Sequence, residues 1–140
     1  MSNKLGIIIP VYNEGGNIGR TIRVIEASVH TPHTIYIVYD FDEDNTLPAV
    51  KRIQEEGVSL VLLKNSAGKV VNAIKKGLRE VKEKYALVTM ADLSDDYEVV
   101  DQMVSLAEKG FDVVCGSRYA KGGKQIGGPF IKKTLSRMAE

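Results

Sequence analysis

The chain has 140 residues, of which 44% are hydrophobic, and its 19 lysine and arginine residues nearly balance 18 aspartate and glutamate residues. These values are typical of one ordinary soluble domain, and the balanced charge argues against a nucleic-acid-binding protein, which normally has a strong basic excess. The single cysteine, Cys115, excludes an internal disulfide and a zinc site built from several thiolates.

Short apolar runs of strand length alternate with longer amphipathic segments along the chain. Runs rich in isoleucine, valine and leucine cover residues 5–10, 34–39, 58–63, 85–90 and 112–116. Between them, apolar residues return every three or four positions, as in helices, over residues 17–28, 47–56, 69–83 and 97–109. This alternation predicts an α/β, Rossmann-like fold in which a mostly parallel sheet carries helices on both faces.

Acidic residues follow several of the predicted strands. Glu14 follows the first strand, a run from Asp40 to Asp44 follows the second, and Asp92 follows the fourth. Because parallel sheets bind ligands at the carboxyl ends of their strands, we expect these side chains to meet at one edge. Bare carboxylates would repel one another there, which predicts a cation, ribose hydroxyls or base N–H donors between them.

Three common ligand-binding motifs do not fit the loops that follow the strands. The glycines of residues 15–19 lack the spacing of a dinucleotide-binding turn. The acidic run after the second strand has Asn45 and Lys51 where a calcium loop needs glycine and glutamate. Gly68 and Lys69 lack the upstream glycine and the following serine or threonine of a phosphate loop.

Four other motifs occur in order along the chain. They are IIPVYNE at residues 8–14, VYDFDEDNT at 38–46, MADLS at 90–94 and GSRYAKGG at 116–123. Together they resemble the family 2 glycosyltransferases with the GT-A fold, and among them the polyprenyl-phosphate sugar transferases related to dolichol-phosphate mannose synthase. The resemblance covers essentially the whole chain. A member of this family would continue well past Glu140, so we expect a truncated, nucleotide-binding portion of a larger enzyme.

The resemblance implies a set of nucleotide-binding residues at the strand ends. They are Pro10, Tyr12, Glu14, Asp40, Ala91 and Asp92. Among them, Asp40 would accept hydrogen bonds from the base or the ribose, and such bonds are stronger when the acceptor is charged.

Several polar residues of the same loops have a structural alternative. Asn13 fits a turn residue as well as a ligand contact, whereas Asn17 fits a helix cap better. Glu43 fits a solvated charge near a helix start. Asp42 and Asp44 fit capping and ligand binding equally well, so the sequence leaves their roles open.

The chain departs from the family pattern at two positions. Tyr39 precedes Asp40 where relatives have paired aspartates, and Met90 replaces the first acid of their Asp-x-Asp metal motif. A thioether is a poor ligand for a hard cation. We therefore expect Asp92 to hold Mg²⁺ or Mn²⁺ with one carboxylate, while the donor phosphates and waters complete the coordination shell. Asp95 or Asp96 could assist, although both fit better as caps of the helix that begins near Tyr97.

The resemblance also implies a transfer side of the site after the fifth strand. We expect residues 1–119 to form the nucleotide-sugar-binding domain and residues 120–140 to form a flexible basic loop and the start of an amphipathic helix from Pro129. The residues implied at the acceptor phosphate are Arg118, Lys132, Lys133 and Ser136. The apolar face of this helix fits a membrane surface, a second copy of the chain in a homo-oligomer, or a segment beyond Glu140.

The expected location is cytoplasmic and peripheral, at the cytoplasmic face of the membrane. The apolar runs are much shorter than the roughly 20 residues of a membrane span. The first residues run into a short apolar stretch that ends at Pro10, without the pattern of an export signal.

The resemblance thus implies an inverting hexosyltransferase. The expected donor is a nucleoside diphosphate sugar, in the first place GDP-mannose, and the expected acceptor is a polyprenyl phosphate. Asp92 with its metal and Arg118 would be catalytic, because they neutralise charge on the leaving diphosphate. We expect this chain alone to bind the donor but to transfer poorly. The alternatives are a non-catalytic nucleotide-binding or regulatory module, and a transferase that uses a UDP-sugar and a saccharide acceptor.

Overall fold

The computed structural model describes residues 3–91 and 97–109, and the backbone of two further strands at residues 113–115 and 130–132. Its strands are β1 (Leu5–Pro10), β2 (His33–Tyr39), β3 (Leu60–Lys64), β4 (Tyr85–Val88), β5 (Val113–Cys115) and β6 (Phe130–Lys132). Its helices are α1 (Ile18–Ser28), α2 (Thr46–Glu55), α3 (Val70–Glu80) and α4 (Val100–Glu108), the last preceded by a 3₁₀ turn at Tyr97–Val99. Within these described ranges, no helix is long and apolar enough to cross a membrane.

The six strands form one sheet in the order β3-β2-β1-β4-β6-β5. The first four strands are parallel, and β6 runs antiparallel to both β4 and β5. Every residue of β1 is buried, as expected for a central strand covered on both faces. The predicted mostly parallel α/β sheet is confirmed.

Helices cover both faces of this sheet. Alternate residues of β1 point to opposite sides, so that Ile7 packs with α1, α2 and α4 in one core and Ile8 packs against α3 in the other. Gly77 lets α3 approach β1 closely, because a Cβ at this position would lie 2.5 Å from Ile8 Cγ2. The two cores hold the strands rigidly and so fix the positions of the loops at their ends.

The helix that we predicted from Pro129 is wrong for residues 130–132. These residues form β6, whose Phe130 pairs with Val88 on one side and Cys115 on the other. A short apolar run fits either period, and here the backbone satisfies its hydrogen bonds with a strand on each side. Residues 120–129 and 133–140 of the predicted loop and helix lie outside the described residues. The boundary at residue 119 stays a prediction, although β6 adds a later strand to the sheet.

Near the amino end of the sheet, Asp101 holds the loop between α1 and β2. Its carboxylate accepts hydrogen bonds from the amides of His30 and Thr31 and from the Thr31 hydroxyl, the last at 2.6 Å. Burial alone would raise the pKa of the Asp101 carboxyl, but these hydrogen bonds outweigh that effect and lower its pKa. The charged form therefore stabilises this loop.

A second polar contact near the amino end joins β2 to the loop before β4. The hydroxyl of Tyr36 donates to Glu83 Oε1 at 2.6 Å and accepts from the Lys82 amide at 3.3 Å. Burial, reinforced by the hydrogen bond to Glu83, raises the pKa of Tyr36 to about 12.

Candidate functional site

The carboxyl ends of the central strands enclose a cavity of about 340 Å³. Its lining residues come from four separate parts of the sequence: Pro10, Val11, Tyr12, Glu14, Asp40, Lys69, Val70, Ala73 and Met90. The fold thus brings together Pro10, Tyr12, Glu14 and Asp40, four of the six residues expected at the nucleotide. The cavity lies where open α/β sheets bind ligands.

Asp40 is oriented by a buried asparagine. The side-chain amide of Asn65, a residue only 4% exposed, donates to Asp40 Oδ1 at 2.9 Å. The backbone amide of Asn65 donates to the Tyr39 carbonyl at 2.7 Å, which ties it to the end of β2. Within the described part of the chain, Asp40 Oδ2 has no hydrogen-bond partner, so it retains its capacity to accept bonds from a ligand.

Tyr12 presents an aromatic surface at the cavity mouth. Its side chain is 68% exposed, although its ring contacts Phe41 with 5.4 Å between the ring centroids and 57° between the planes. An exposed ring supported by another aromatic ring offers a flat, apolar contact for a base or a sugar.

The loops after β1 and β2 are tied together by reciprocal hydrogen bonds. The Asn13 amide donates to Asp44 Oδ2, and the Asn45 amide donates to Asn13 Oδ1, both at 3.1 Å. The Glu14 amide donates to Thr46 Oγ1 at 2.8 Å. These bonds form a brace, comprising Asn13, Glu14, Asp44, Asn45 and Thr46, that fixes the cavity-lining residues of the first loop against the second.

The brace decides roles that the sequence left open. Asp44 is 1% exposed, and its Oδ1 accepts from the Thr46 amide at 2.7 Å, so it is a structural residue at the start of α2. Asn13 has φ 51°, which agrees with the turn interpretation. Asp42 instead pairs with Lys64 at 2.9 Å on the surface, and this contact raises the pKa of Lys64.

Asn17 precedes α1, as expected of a cap, but its side chain makes no capping bond to the helix. Its amide group donates to Glu14 Oε1 at 3.2 Å instead. Asn17 therefore orients a cavity carboxylate, a role that the capping interpretation missed.

Lys69 is a cavity residue for which the sequence predicted no role. Its backbone has φ 70° and ψ 149°, a region that residues other than glycine rarely adopt, and it follows Gly68 with φ 73°. The Asn65 side chain donates to the Lys69 carbonyl at 3.2 Å and so helps to hold this conformation. Lys69 lines the cavity together with Asp40, and the Asn65 side chain holds both residues, so a cationic residue in a strained conformation borders the cavity. Its only sequence signal was its failed match to a phosphate loop.

The other expected site residues divide into two groups. The side chain of Ala91 is 1% exposed and lies in the hydrophobic core, and its carbonyl accepts from the Thr21 hydroxyl at 2.7 Å. Ala91 therefore lies beside the cavity and does not line it. Outside the described residues lie Asp92, Arg118, Lys133 and Ser136, and only the backbone of Lys132 is described, in β6.

The described residues do not supply a complete set of ligands for a metal ion. Glu14 and Asp40 are hard carboxylate ligands at the cavity, whereas Met90, 38% exposed in the lining, offers only a thioether. No group of three or more His, Cys, Asp or Glu residues able to hold a metal ion occurs among the residues that the structure describes. A divalent ion fits this site only if further ligands come from Asp92 and from a bound phosphate group.

Two comparisons with known sequences point to the same family. The family model described as Glycosyl transferase family 2 matches residues 6–135. The dolichol-phosphate mannosyltransferase of Pyrococcus furiosus is 29% identical over 137 residues, which cover 97% of this chain and 39% of that relative. The chain thus spans well under half the length of this relative.

Two solved structures have a similar fold. A mannosyltransferase from Pyrobaculum calidifontis, in complex with GDP-Man and Mn²⁺, matches with a TM-score of 0.75 and 20% identity over 99% of this chain and 47% of its own. TarS from S. aureus, in complex with UDP-GlcNAc, matches with a TM-score of 0.66 and 20% identity over 81% of this chain and 34% of its own. At this identity the likeness concerns the fold. The matched family model and the sheet architecture establish that the chain belongs to glycosyl transferase family 2 and has the GT-A fold.

Proposed function

We propose that this chain binds the donor of a glycosyltransferase that moves a hexose, in the first place mannose from GDP-mannose, to a polyprenyl phosphate. The observation that carries the proposal is the meeting of Tyr12, Glu14, Asp40 and Lys69 around one cavity in a family 2 chain. The names of a similar mannosyltransferase with GDP-Man and of a similar dolichol-phosphate enzyme support the choice of donor and acceptor.

In the proposed complex, the nucleoside lies between Tyr12 and Asp40. The exposed Tyr12 ring contacts the apolar face of the base or ribose, and Asp40 Oδ2 accepts hydrogen bonds from their N–H or O–H groups. Pro10 contributes apolar lining, and Glu14 accepts from further hydroxyls. Lys69 faces the diphosphate, since a cation at the cavity stabilises that anionic group.

The proposed reaction is a single inverting displacement at the anomeric carbon. A phosphate oxygen of the acceptor forms the new bond as the bond to the diphosphate breaks, and the nucleoside diphosphate leaves with the electron pair. The acceptor phosphate is already ionised at neutral pH, so no general base is needed. We assign to Arg118 the neutralisation of the departing charge, and to Lys133 and Ser136 the binding of the acceptor phosphate. Lys132 is not assigned to this site, because β6 pairs it with Ala86, toward the amino end of β4 and away from the cavity.

We assign the divalent ion, Mg²⁺ or Mn²⁺, to Asp92. When bound, the ion would neutralise negative charge on the diphosphate. The presence of Mn²⁺ in the similar mannosyltransferase complex supports this assignment. Because Met90 contributes no hard ligand, we expect the ion to bind weakly without the donor and better with it.

A second candidate is a transferase that uses a UDP-sugar. The similar TarS complex contains UDP-GlcNAc, and the cavity residues of this chain are compatible with either base. The two candidates differ in donor preference, which a binding measurement separates directly.

The test is calorimetric titration of the chain with GDP-mannose, UDP-GlcNAc and ATP, each with and without Mn²⁺. We expect GDP-mannose to bind most tightly, more tightly still with Mn²⁺, and Asp40→Ala to weaken this binding by about 1.5–3 kcal/mol, the usual value of hydrogen bonds to a charged group. Asp42→Ala is the matched control, because its carboxylate pairs with Lys64 at the surface. Equal affinities of Asp40→Ala and the unmodified protein, with the fold intact, would remove Asp40 from the site. Tighter binding of UDP-GlcNAc would favour the second candidate.

A further inference from the structure

Basic residues are concentrated in one segment of the chain. Residues 69–84 contain six lysine or arginine residues against two glutamates. Removing this segment from the chain's 19 basic and 18 acidic residues leaves 13 basic and 16 acidic ones. The near-neutral chain therefore has a strongly positive region at α3, and an ordinary solvated helix would carry charges of both signs.

The exposed side of α3 carries much of this charge. Val71, Lys75 and Arg79 are exposed and lie four residues apart, so they form one stripe along the helix. We call these three residues the α3 stripe. Lys82 and Lys84 follow the helix and are also exposed. Among the described elements, α3 packs on β1 and β2, and the stripe lies on the opposite side of the helix.

The two glutamates of the segment do not neutralise the stripe. Glu80 pairs with Lys76 at 3.5 Å on the flank of the helix. Glu83 accepts the hydroxyl of Tyr36 at 2.6 Å. The positive charge of Lys75 and Arg79 is therefore available to an anionic partner.

Apolar residues stand at the end of the stripe that adjoins the cavity. Val71 is 58% exposed, and its neighbour Val70 is 48% exposed and also lines the cavity. Exposed valines beside lysine and arginine favour a lipid surface over a purely ionic polymer, because a bilayer accepts both the charge and the apolar side chains.

From this arrangement we propose that the α3 stripe docks the protein on an anionic membrane surface, with the cavity mouth held next to the lipid. The inference rests on the proposed function in taking the acceptor to be lipid-linked. A lipid phosphate in that membrane would then lie close to the donor cavity, and electrostatic attraction to anionic lipids would orient the chain before transfer.

The test is co-sedimentation of the chain with vesicles of phosphatidylcholine alone and with vesicles in which about a third of the lipid is phosphatidylglycerol. We expect binding to the anionic vesicles only, and weaker binding at high salt. Lys75→Glu combined with Arg79→Glu should lower the partition coefficient by about tenfold or more, since each basic residue near such a surface contributes about fivefold. Lys51→Glu combined with Arg52→Glu, an equal charge change on the exposed side of α2, is the control and should change binding less than about twofold.

Several results would overturn the docking surface. Equal losses for the α3 and α2 double variants would show a general charge effect, and equal binding to neutral vesicles would exclude charge recognition. Binding to duplex DNA without binding to vesicles would identify a nucleic-acid surface instead. If the α3 double variant does not fold, as judged by circular dichroism, two other measurements replace it: vesicle binding by Val71→Ser and the salt dependence of binding by the unmodified chain. Weaker binding in both would support the docking surface, and unchanged binding in both would overturn it.

Calorimetry with GDP-mannose in the absence of vesicles separates this inference from the proposed function. The α3 double variant should bind the nucleotide as the unmodified chain does, because neither residue lines the cavity. Normal nucleotide binding with no charge-dependent vesicle binding overturns the docking surface alone. Charge-dependent vesicle binding by a chain that binds no nucleotide overturns the proposed function alone.

Discussion

The two ends of the sheet use polar side chains in opposite ways. Near the amino end, Asp101 accepts from two amides and a hydroxyl, and Tyr36 donates to Glu83, so these groups are occupied by the protein itself. At the carboxyl end, Asp40 and Glu14 each have one oxygen bound by an asparagine. Their second oxygens accept no hydrogen bond from the described residues. One end is organised for stability, whereas the other holds carboxylates in place and keeps acceptors for a ligand.

This difference predicts that changes at the carboxyl end alter ligand binding and that changes near the amino end alter stability alone. The brace between the first two loops and the strained backbone at Lys69 are exceptions, because each supports the cavity and also affects the stability of the fold. We expect variants of the brace to affect both properties.

The largest effect on stability is expected for Asp44→Ala. This change leaves the amides of Asn13 and Thr46 without their acceptor, one of them buried, and removes a bond at the start of α2. We expect a loss of about 2–4 kcal/mol in the free energy of unfolding, measured with urea, and weaker binding of GDP-mannose. The control is Asp42→Ala, an exposed member of a surface ion pair, which should cost less than about 1 kcal/mol. A loss of stability with unchanged nucleotide affinity would show that the brace does not position the cavity residues.

Lys69→Gly should raise stability and lower affinity. Glycine adopts φ 70° and ψ 149° without the strain of about 1–3 kcal/mol, although its more flexible unfolded chain offsets part of the gain, so we expect a net gain of about 1 kcal/mol. Loss of the cation should weaken nucleotide binding by about 1 kcal/mol or more.

Lys69→Ala separates the two effects of this change. Alanine keeps the backbone strain and loses the charge, so it should bind nucleotide as weakly as glycine does without gaining stability. Urea unfolding and calorimetry measure both quantities. A glycine variant that is less stable than the alanine variant would show that the backbone of Lys69 is not strained, because only the greater flexibility of the unfolded glycine chain would then remain.

Lys69 also marks the limit of what the sequence could predict. Apolar runs and helical periods predicted the first four strands and the helices between them, because burial on both sheet faces leaves a strong pattern. The sequence also predicted that Pro10, Tyr12, Glu14 and Asp40 lie together, because these residues end or follow predicted strands and belong to the family motifs. The strain at Lys69 and the supporting bonds of Asn65 arise from loop conformation, and Asn65 has no neighbour in sequence that signals its contact with Asp40.

The strand β6 shows a different limit. Its three residues are too few to separate a period of two from one of 3.6, and its pairing with β4 depends on a segment more than 40 positions away in sequence. Asp44 shows a third limit, since capping and ligand binding use the same residue types in the same loop. Only the atoms that bond to Asp44 in the folded protein, the amides of Asn13 and Thr46, decide between these two roles.

Near the amino end, the raised pKa of Tyr36 predicts that the protein loses stability in alkaline solution. Its pKa of about 12 in the folded state exceeds the usual value of about 10, so the folded protein retains the phenolic proton more strongly than the unfolded chain does. The stabilisation is complete below about pH 10 and is lost as the pH rises toward 12. We expect a loss of about 1 kcal/mol, since solvent near the half-buried Glu83 screens the pair.

Tyr36→Phe should not show the part of the alkaline loss in the free energy of unfolding that comes from ionisation of Tyr36. The free energy of unfolding of both proteins, measured between about pH 9 and pH 11, provides the comparison. Parallel curves for the two proteins would show that Tyr36 does not contribute. Because Tyr36 lies away from the cavity, Tyr36→Phe should bind GDP-mannose normally at neutral pH.

The smallest expected effect concerns Asp101 in acid. Its pKa lies below the usual value for an aspartate, so the folded state favours the carboxylate, and the stabilisation is present above about pH 4 and lost as the pH falls through the lowered pKa. Asp101→Asn should therefore be less stable than the unmodified protein at neutral pH, and the gap should narrow below about pH 4. Urea unfolding at both pH values measures the gap, and the difference cancels the contributions of other carboxylates. An unchanged gap would mean that shape rather than charge holds the loop at His30 and Thr31. Because this loop is distant in the fold from the cavity, a change in nucleotide affinity would contradict the division of roles between the two ends of the sheet.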